Sequence, residues 1–170
     1  LIERVHPCLV LKNSYIGNID GVLNAIVIDG NPIGQSVLQG EGAGPGPTTS
    51  ALISDLCSIL RGNIKYPFGV SNKRRKKIRN FDILKHTCSS YLRIDVKDKH
   101  GVLSSITKNF SRNKISIKNL VQVPDKKNKK ASISIITHKN TEKNYKKLIS
   151  SLSKNKFVFR KPIFIRIEQI

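Results

Sequence analysis

The feature that most constrains the fold is the order of hydrophobic periods from residue 89 onward. YLRIDV (91–96) alternates, with Leu92, Ile94 and Val96 on one side and Arg93 and Asp95 on the other. That is the period of a half-buried strand. After DKHG the period becomes helical, with Val102, Leu103, Ile106 and Phe110 on one face. ISIKNLVQV (115–123) alternates again through Ile115, Ile117, Val121 and Val123. A polar turn, PDKKNKK (124–130), leads to a third strand, ASISIIT (131–137). TEKNYKKLISSLSKN (141–155) predicts a second helix, N-capped by Thr141, with Tyr145, Leu148, Ile149 and Leu152 inward. FVFRKPIFIRIEQI (157–170) closes with alternating Phe157, Phe159, Ile163, Ile165 and Ile167. The order βαββαβ predicts an α+β, ferredoxin-like unit whose antiparallel sheet carries both helices on one face. The other face then needs a cover, commonly a second copy of the module.

The first 61 residues read differently. RVHPCLVL opens with a strand in which Pro7 suits an edge. NAIVIDG (24–30) and QSVLQG (35–40) predict a hairpin about the Gly30-Asn31 turn. Then comes QGEGAGPGPTTSALISDL, with Gly40, Gly42, Gly44 and Gly46 running into Pro47. A helix is expected over about 48–61. Its apolar face is Leu52, Ile53, Leu56, Ile59 and Leu60, and Gly62 is its C-cap. A bare turn feeding a helix N-terminus suits an anion. The spacing nevertheless excludes the common nucleotide loops. GxGxxG would need glycine at 45 or 47, both proline here, and no Lys-Ser/Thr follows. Pro45 removes a further N–H donor. About 60 residues with one helix and a few strands make a marginal core, so this zone is expected to complete a larger domain. The absence of methionine, even at position 1, points the same way: the chain reads as the later part of a longer protein.

Residues 62–88 form a basic linker containing KRRKKIR (73–79). The net charge of +20, from 31 basic and 11 acidic residues, would suit a polyanion. Lys, Asn, Ile and Ser are abundant throughout, however, and no aromatic residues interleave with the charges. The expectation is therefore a solvated linker and no nucleic-acid partner. The three cysteines, Cys8, Cys57 and Cys88, show no CxxC or other metal-ligand spacing and read as reduced thiols of a cytosolic protein. No metal site is expected. There is no signal peptide and no apolar run long enough for a membrane span.

Taken together, RVHPCLV, DGVLNAIVIDG and QGEGAGPGPTTSALISDL resemble the end of the catalytic and dimerisation domain of homoserine dehydrogenases, over about residues 3–61. YLRIDVKDKHGVLSSITKNFSRNKISIKNLVQ resembles an ACT domain, an amino-acid-sensing module that follows this catalytic part in many bacteria. The resemblance implies three parts: a piece of a dehydrogenase catalytic domain (1–61), the linker (62–88) and a regulatory ACT domain (89–170). It implies NAD(P)-dependent interconversion of L-aspartate 4-semialdehyde and L-homoserine, on the route to threonine, methionine and isoleucine. It further implies a cytoplasmic homo-oligomer, dimer or tetramer. The catalytic residues are expected upstream of Leu1. The family glycine that contacts the nicotinamide cofactor, NADP or NAD, falls on Gly44; the family more often has glycine where this chain has Pro45 and alanine where it has Thr49. In the ACT turn, Asp98, Gly101 and Val102 take the positions that hold an amino-acid effector such as threonine, with His100 in place of the usual proline. The alternative is a stand-alone amino-acid-binding regulatory protein without catalysis.

Overall fold

A computed structural model describes residues 1–63, 66, 69–125 and 129–168. In chain order the strands are β1 (Cys8–Val10), β2 (Leu23–Gly30), β3 (Gly34–Glu41), β4 (Thr87–Lys97), β5 (Ile117–Asp125), β6 (Lys130–Thr137), β7 (Asn140–Thr141) and β8 (Ile163–Glu168). The helices are α1 (Pro45–Leu60), α2 (Val102–Arg112) and α3 (Glu142–Ser153). The chain forms two compact units. One combines Leu1–Leu9 with the chain from Asn80 onward, and the other is Val10–Arg79. The first nine residues, grouped by sequence with the glycine-rich zone, thus pack with the C-terminal half. Among the described residues, no helix is long and apolar enough to cross a membrane. Parts of three expected segments lie outside the described residues: 64, 65, 67 and 68 of the linker, 126–128 of the polar turn, and 169–170 of the last strand.

The larger unit has the expected βαββαβ order. Its sheet runs β1-β8-β4-β6-β5, with β4 antiparallel to both β8 and β6, and β5 antiparallel to β6. Alternation decides which face is dry. On β4, Cys88, Ser90, Leu92, Ile94 and Val96 are buried; on β6, Ala131, Ile133, Ile135 and Thr137 are. Val102, Ile106 and Phe110 of α2 and Tyr145, Leu148 and Leu152 of α3 close over that face. Burying each large apolar side chain stabilises by roughly 1.5–3 kcal/mol relative to exposure. The polar members of this layer are satisfied together. The Tyr145 hydroxyl lies 2.6 Å from Thr137 Oγ1 and 3.0 Å from the Cys88 carbonyl, and Thr137 Oγ1 lies 3.1 Å from Ser90 Oγ.

Three details depart from the sequence reading. Leu103 is 41% exposed, because the helical stripe that meets the sheet is narrower than its apolar pattern. A bulge between Ile117 and Asn119 shifts the phase of β5 by one residue. Leu120 then pairs with buried Ile135 and packs against the core, while Val121 and Val123 turn to the open face at 57% and 60% exposure. Finally, β8 begins only at Ile163, just after Pro162, which has no N–H to give a ladder. Its register sets Phe164 beside Leu92 and Arg166 beside Ser90, on the helix-covered face. Ile163, Ile165 and Ile167 therefore point to the opposite face.

A buried ion cluster fastens the N-terminal segment to this unit. Thr141 caps α3 as expected, accepting from the Asn144 N–H. That places Glu142 in the first turn, where a carboxylate is favoured by the helix dipole. Its side chain is 11% exposed. It accepts from Arg4 Nη1 at 2.9 Å and bidentately from Arg166, through Nε at 2.5 Å and Nη2 at 2.9 Å. Burial alone would raise the Glu142 pKa, but hydrogen bonds from Arg166 and Arg4 outweigh it and hold it at about 2.

The smaller unit contains the expected hairpin, β2 against β3 in register from Leu23↔Glu41 to Gly30↔Gly34. Among its described residues no hydrophobic side chain is buried. Ile26, Ile28 and Leu38 are exposed, as is the whole expected face of α1: Leu52, Ile53, Leu56, Ile59 and Leu60. The helix ends in a Schellman motif. Gly62, at φ +71°, donates to the Ile59 carbonyl, and Asn63 donates to that of Ser58.

The ion cluster generates a stability prediction. Glu142→Gln leaves two guanidinium groups without their counter-charge and should destabilise the larger unit by about 3 kcal/mol at neutral pH, read by chemical denaturation. Because the folded-state pKa is depressed, the stabilisation is fully present above the ordinary value of 4.5 and lost as pH falls towards 2. The variant should lack that acid-limb dependence. A variant as stable as the parent at pH 7 would contradict the fastening role.

Candidate functional site

The glycine-rich turn lies between β3 and α1. The helix starts at Pro45, three residues before the expected start, with Gly44 as N-cap, Pro45 at N1 and Pro47 at N3. Both prolines are tolerated because first-turn N–H groups have no intrahelical acceptor. The Thr48 N–H already donates to the Gly44 carbonyl at 3.2 Å. Of the first four helical positions, only Gly46 keeps an N–H without a helical partner. The turn is therefore a poor anion cradle, which agrees with the exclusion of a phosphate loop.

Gly44 itself has φ +115° and ψ 160°, a region that residues with a side chain essentially do not occupy. A Cβ there would meet nothing closer than Pro47 Cδ at 3.7 Å. Backbone conformation, rather than crowding, is what demands glycine at 44. At Gly42 the reason differs, because a Cβ would collide with the Asn24 side chain. Gly40 and Gly46 face open space. Glu41 ends β3 with its side chain exposed.

The second turn joins β4 to α2 in the larger unit and brings Asp98, Gly101 and Val102 together. Gly101 is the N-cap, in the left-handed region at φ +79°, and its carbonyl accepts from the Ser105 N–H. No side chain caps α2; Asp98 donates its backbone N–H to the Lys129 carbonyl at 3.0 Å. Val102 is 4% exposed, so its side chain belongs to the core. Asp98, Lys99 and His100 line an open cavity of about 600 Å³.

A third group was not singled out from the sequence. His86, Cys88 and Glu142 bring one ligand atom each to within 4.8 Å of one another. The chemistry does not suit a metal. The Glu142 carboxylate is spent on Arg4 and Arg166, and burial, with the Glu142 charge behind it, pushes the Cys88 thiol up to about 11. The thiol stays protonated and sits 3.8 Å from Glu142 Oε1. His86 Nδ1 is buried without a hydrogen-bond partner among the described residues, 4.0 Å from the same oxygen. The one available signal was slight: an acid directly after a helix cap. Cys8, Cys57 and Cys88 are all free thiols.

Comparison with known proteins covers both units. The homoserine dehydrogenase family matches residues 2–57, and the ACT domain family matches residues 90–157. The homoserine dehydrogenase of Helicobacter pylori is 32% identical over 97% of this chain, and that of Neisseria gonorrhoeae is 31% identical over 98%. The crystal structure of a homoserine dehydrogenase from Thiobacillus denitrificans matches 98% of the chain at 29% identity, with a TM-score of 0.83. The chain spans about two fifths of these relatives' length: 39%, 40% and 38% respectively. Two successive family matches, over the glycine-turn hairpin and the βαββαβ unit, converge on one conclusion: the chain is similar to homoserine dehydrogenases along nearly its whole length, and its second part matches the ACT domain family.

Proposed function

We propose that this chain is the C-terminal portion of a homoserine dehydrogenase, an oxidoreductase that interconverts L-aspartate 4-semialdehyde and L-homoserine with a nicotinamide cofactor. The carrying observation is the match over 98% of the chain to a solved homoserine dehydrogenase, across both units. The exposed apolar side of Val10–Arg79 supports the same reading. Five large apolar residues on one helix face are a surface that further protein would cover. The hydride donor and the catalytic groups then come from protein beyond these residues. The reading places the enzyme in the cytoplasm, as a homo-oligomer, serving threonine, methionine and isoleucine synthesis.

Within this reading Gly44 forms a side-chain-free wall against the cofactor, NADP or NAD. The Asp98–Val102 turn holds an amino-acid effector such as threonine. Asp98 supplies a carboxylate for the effector's ammonium, and Gly101 gives close backbone approach. Burial of the Val102 side chain limits that residue to main-chain contact.

Three outcomes follow. The isolated 170-residue chain, supplied with NADPH and aspartate semialdehyde, should show no turnover; measurable activity would refute the assignment of the catalytic groups to other protein. In the whole enzyme, Gly44→Ala should weaken cofactor binding about tenfold or more, since strain at this backbone position costs about 1–3 kcal/mol. Gly46→Ala, in open space, is the control. Equal cofactor affinity in the two variants would remove Gly44 from the site. Asp98→Ala should weaken threonine binding, measured by titration calorimetry, by about tenfold through loss of a charge-assisted contact. An unchanged titration would take Asp98 out of the effector site.

A further inference from the structure

The ACT-bearing unit has a second cavity that uses none of the β4–α2 turn. It measures about 410 Å³, and its walls include Arg4, Lys146, Arg166, Leu84, Ile149 and Phe164. Three cations therefore face it against one carboxylate, that of Glu142, which also lines it. The pairing inside the ion cluster leaves donors over. Arg4 gives Nη1 to Glu142, and Arg166 gives Nε and Nη2. Arg4 Nε and Nη2, Arg166 Nη1 and Lys146 Nζ have no hydrogen-bond partner among the described residues. The two arginine side chains are only 16% and 21% exposed, so an anion reaching them meets partly desolvated charge. Arg166 is also held in place from a second direction, with its guanidinium carbon 5.0 Å from the centre of the Phe164 ring.

The remaining wall is mostly apolar, with Ile83, Leu84, Ile149 and Phe164 beside His6 and Tyr145. Glu142 spends both oxygens on guanidinium groups, so the cavity is poor in acceptors for a ligand ammonium. This combination selects against a free amino acid, which needs a partner for each of its charges. It favours an anion with a short hydrocarbon tail. We propose that this cavity binds a small organic carboxylate: the carboxylate sits between Arg4, Arg166 and Lys146, and its aliphatic tail lies on Ile149 and Phe164. Arg4 belongs to the segment Leu1–Leu9, so an occupied site ties that segment to α3 and β8 more firmly than Glu142 does alone. The argument is independent of the dehydrogenase reading.

The test is titration calorimetry on the full-length protein with isovalerate as probe. Isovaleramide, of the same shape without the charge, and inorganic phosphate, charged without a tail, are the comparisons. Isovalerate should bind saturably, and isovaleramide should not. Lys146→Gln changes an exposed residue outside the ion cluster and should weaken isovalerate about tenfold. Arg4→Gln should weaken it at least as much, while Asp98→Ala should leave it unaltered. Equal binding of the amide, no saturable isovalerate signal, or full affinity in Lys146→Gln and Arg4→Gln would overturn the proposal. Phosphate binding as tightly as isovalerate would overturn the role of the apolar wall, and loss of binding in Asp98→Ala would move the ligand to the turn.

Discussion

The dry seam between one face of the β8-β4-β6-β5 sheet and the two helices sets the rest of the ACT-bearing unit. Leu92, Ile94, Val96, Ile133 and Ile135 on the strands meet Ile106, Phe110, Tyr145, Leu148 and Leu152 on the helices, with Phe110 1% exposed and the others at zero. Both helices must cross back over the same face, because only that face carries consecutive apolar side chains on the central strands β4 and β6. The turn at Asp98–Val102 takes its form from this requirement. The chain leaves β4 with Val96 buried and must enter α2 with Val102 buried, and a left-handed Gly101 makes the reversal in between.

The hydroxyl groups that enter the seam are answered, whereas His86 Nδ1 beside it is not, among the described residues. Tyr145, Thr137, Ser90 and the Cys88 carbonyl form one connected set. Beside it Glu142 is held between Arg4 and Arg166, a geometry that favours the ionised carboxylate and the protonated Cys88 thiol together. Arg4 comes from a segment remote in sequence. The same contact therefore assigns Leu1–Leu9 to the C-terminal half and leaves surplus positive charge facing a cavity.

The smaller unit works from the opposite condition. Its hairpin and helix are locally well specified: a registered ladder, a proline-started helix and a Schellman stop. None of its described apolar side chains is nevertheless fully buried, and local bonds of this kind do not by themselves repay the conformational entropy of ordering some seventy residues. The relatives that the chain matches are more than twice as long as it is.

Much of this was legible in the sequence. Period-two and helical stretches fixed the βαββαβ order, the hairpin flanked Gly30-Asn31, Thr141 capped α3, and proline at positions 45 and 47 ruled out a nucleotide loop, because these are properties of residues close along the chain. The start of α1 was misplaced since prolines look like breakers yet cost little in a first turn. The exposure of Val121 and Val123 escaped notice because a one-residue bulge reverses strand phase without leaving a mark in composition. The placement of Leu1–Leu9, the meeting of Arg4, Glu142 and Arg166, and the cavity beside them were decided only by tertiary structure. Each depends on residues more than twenty positions apart, and the energy of a buried ion pair depends on geometry and desolvation that local sequence does not encode.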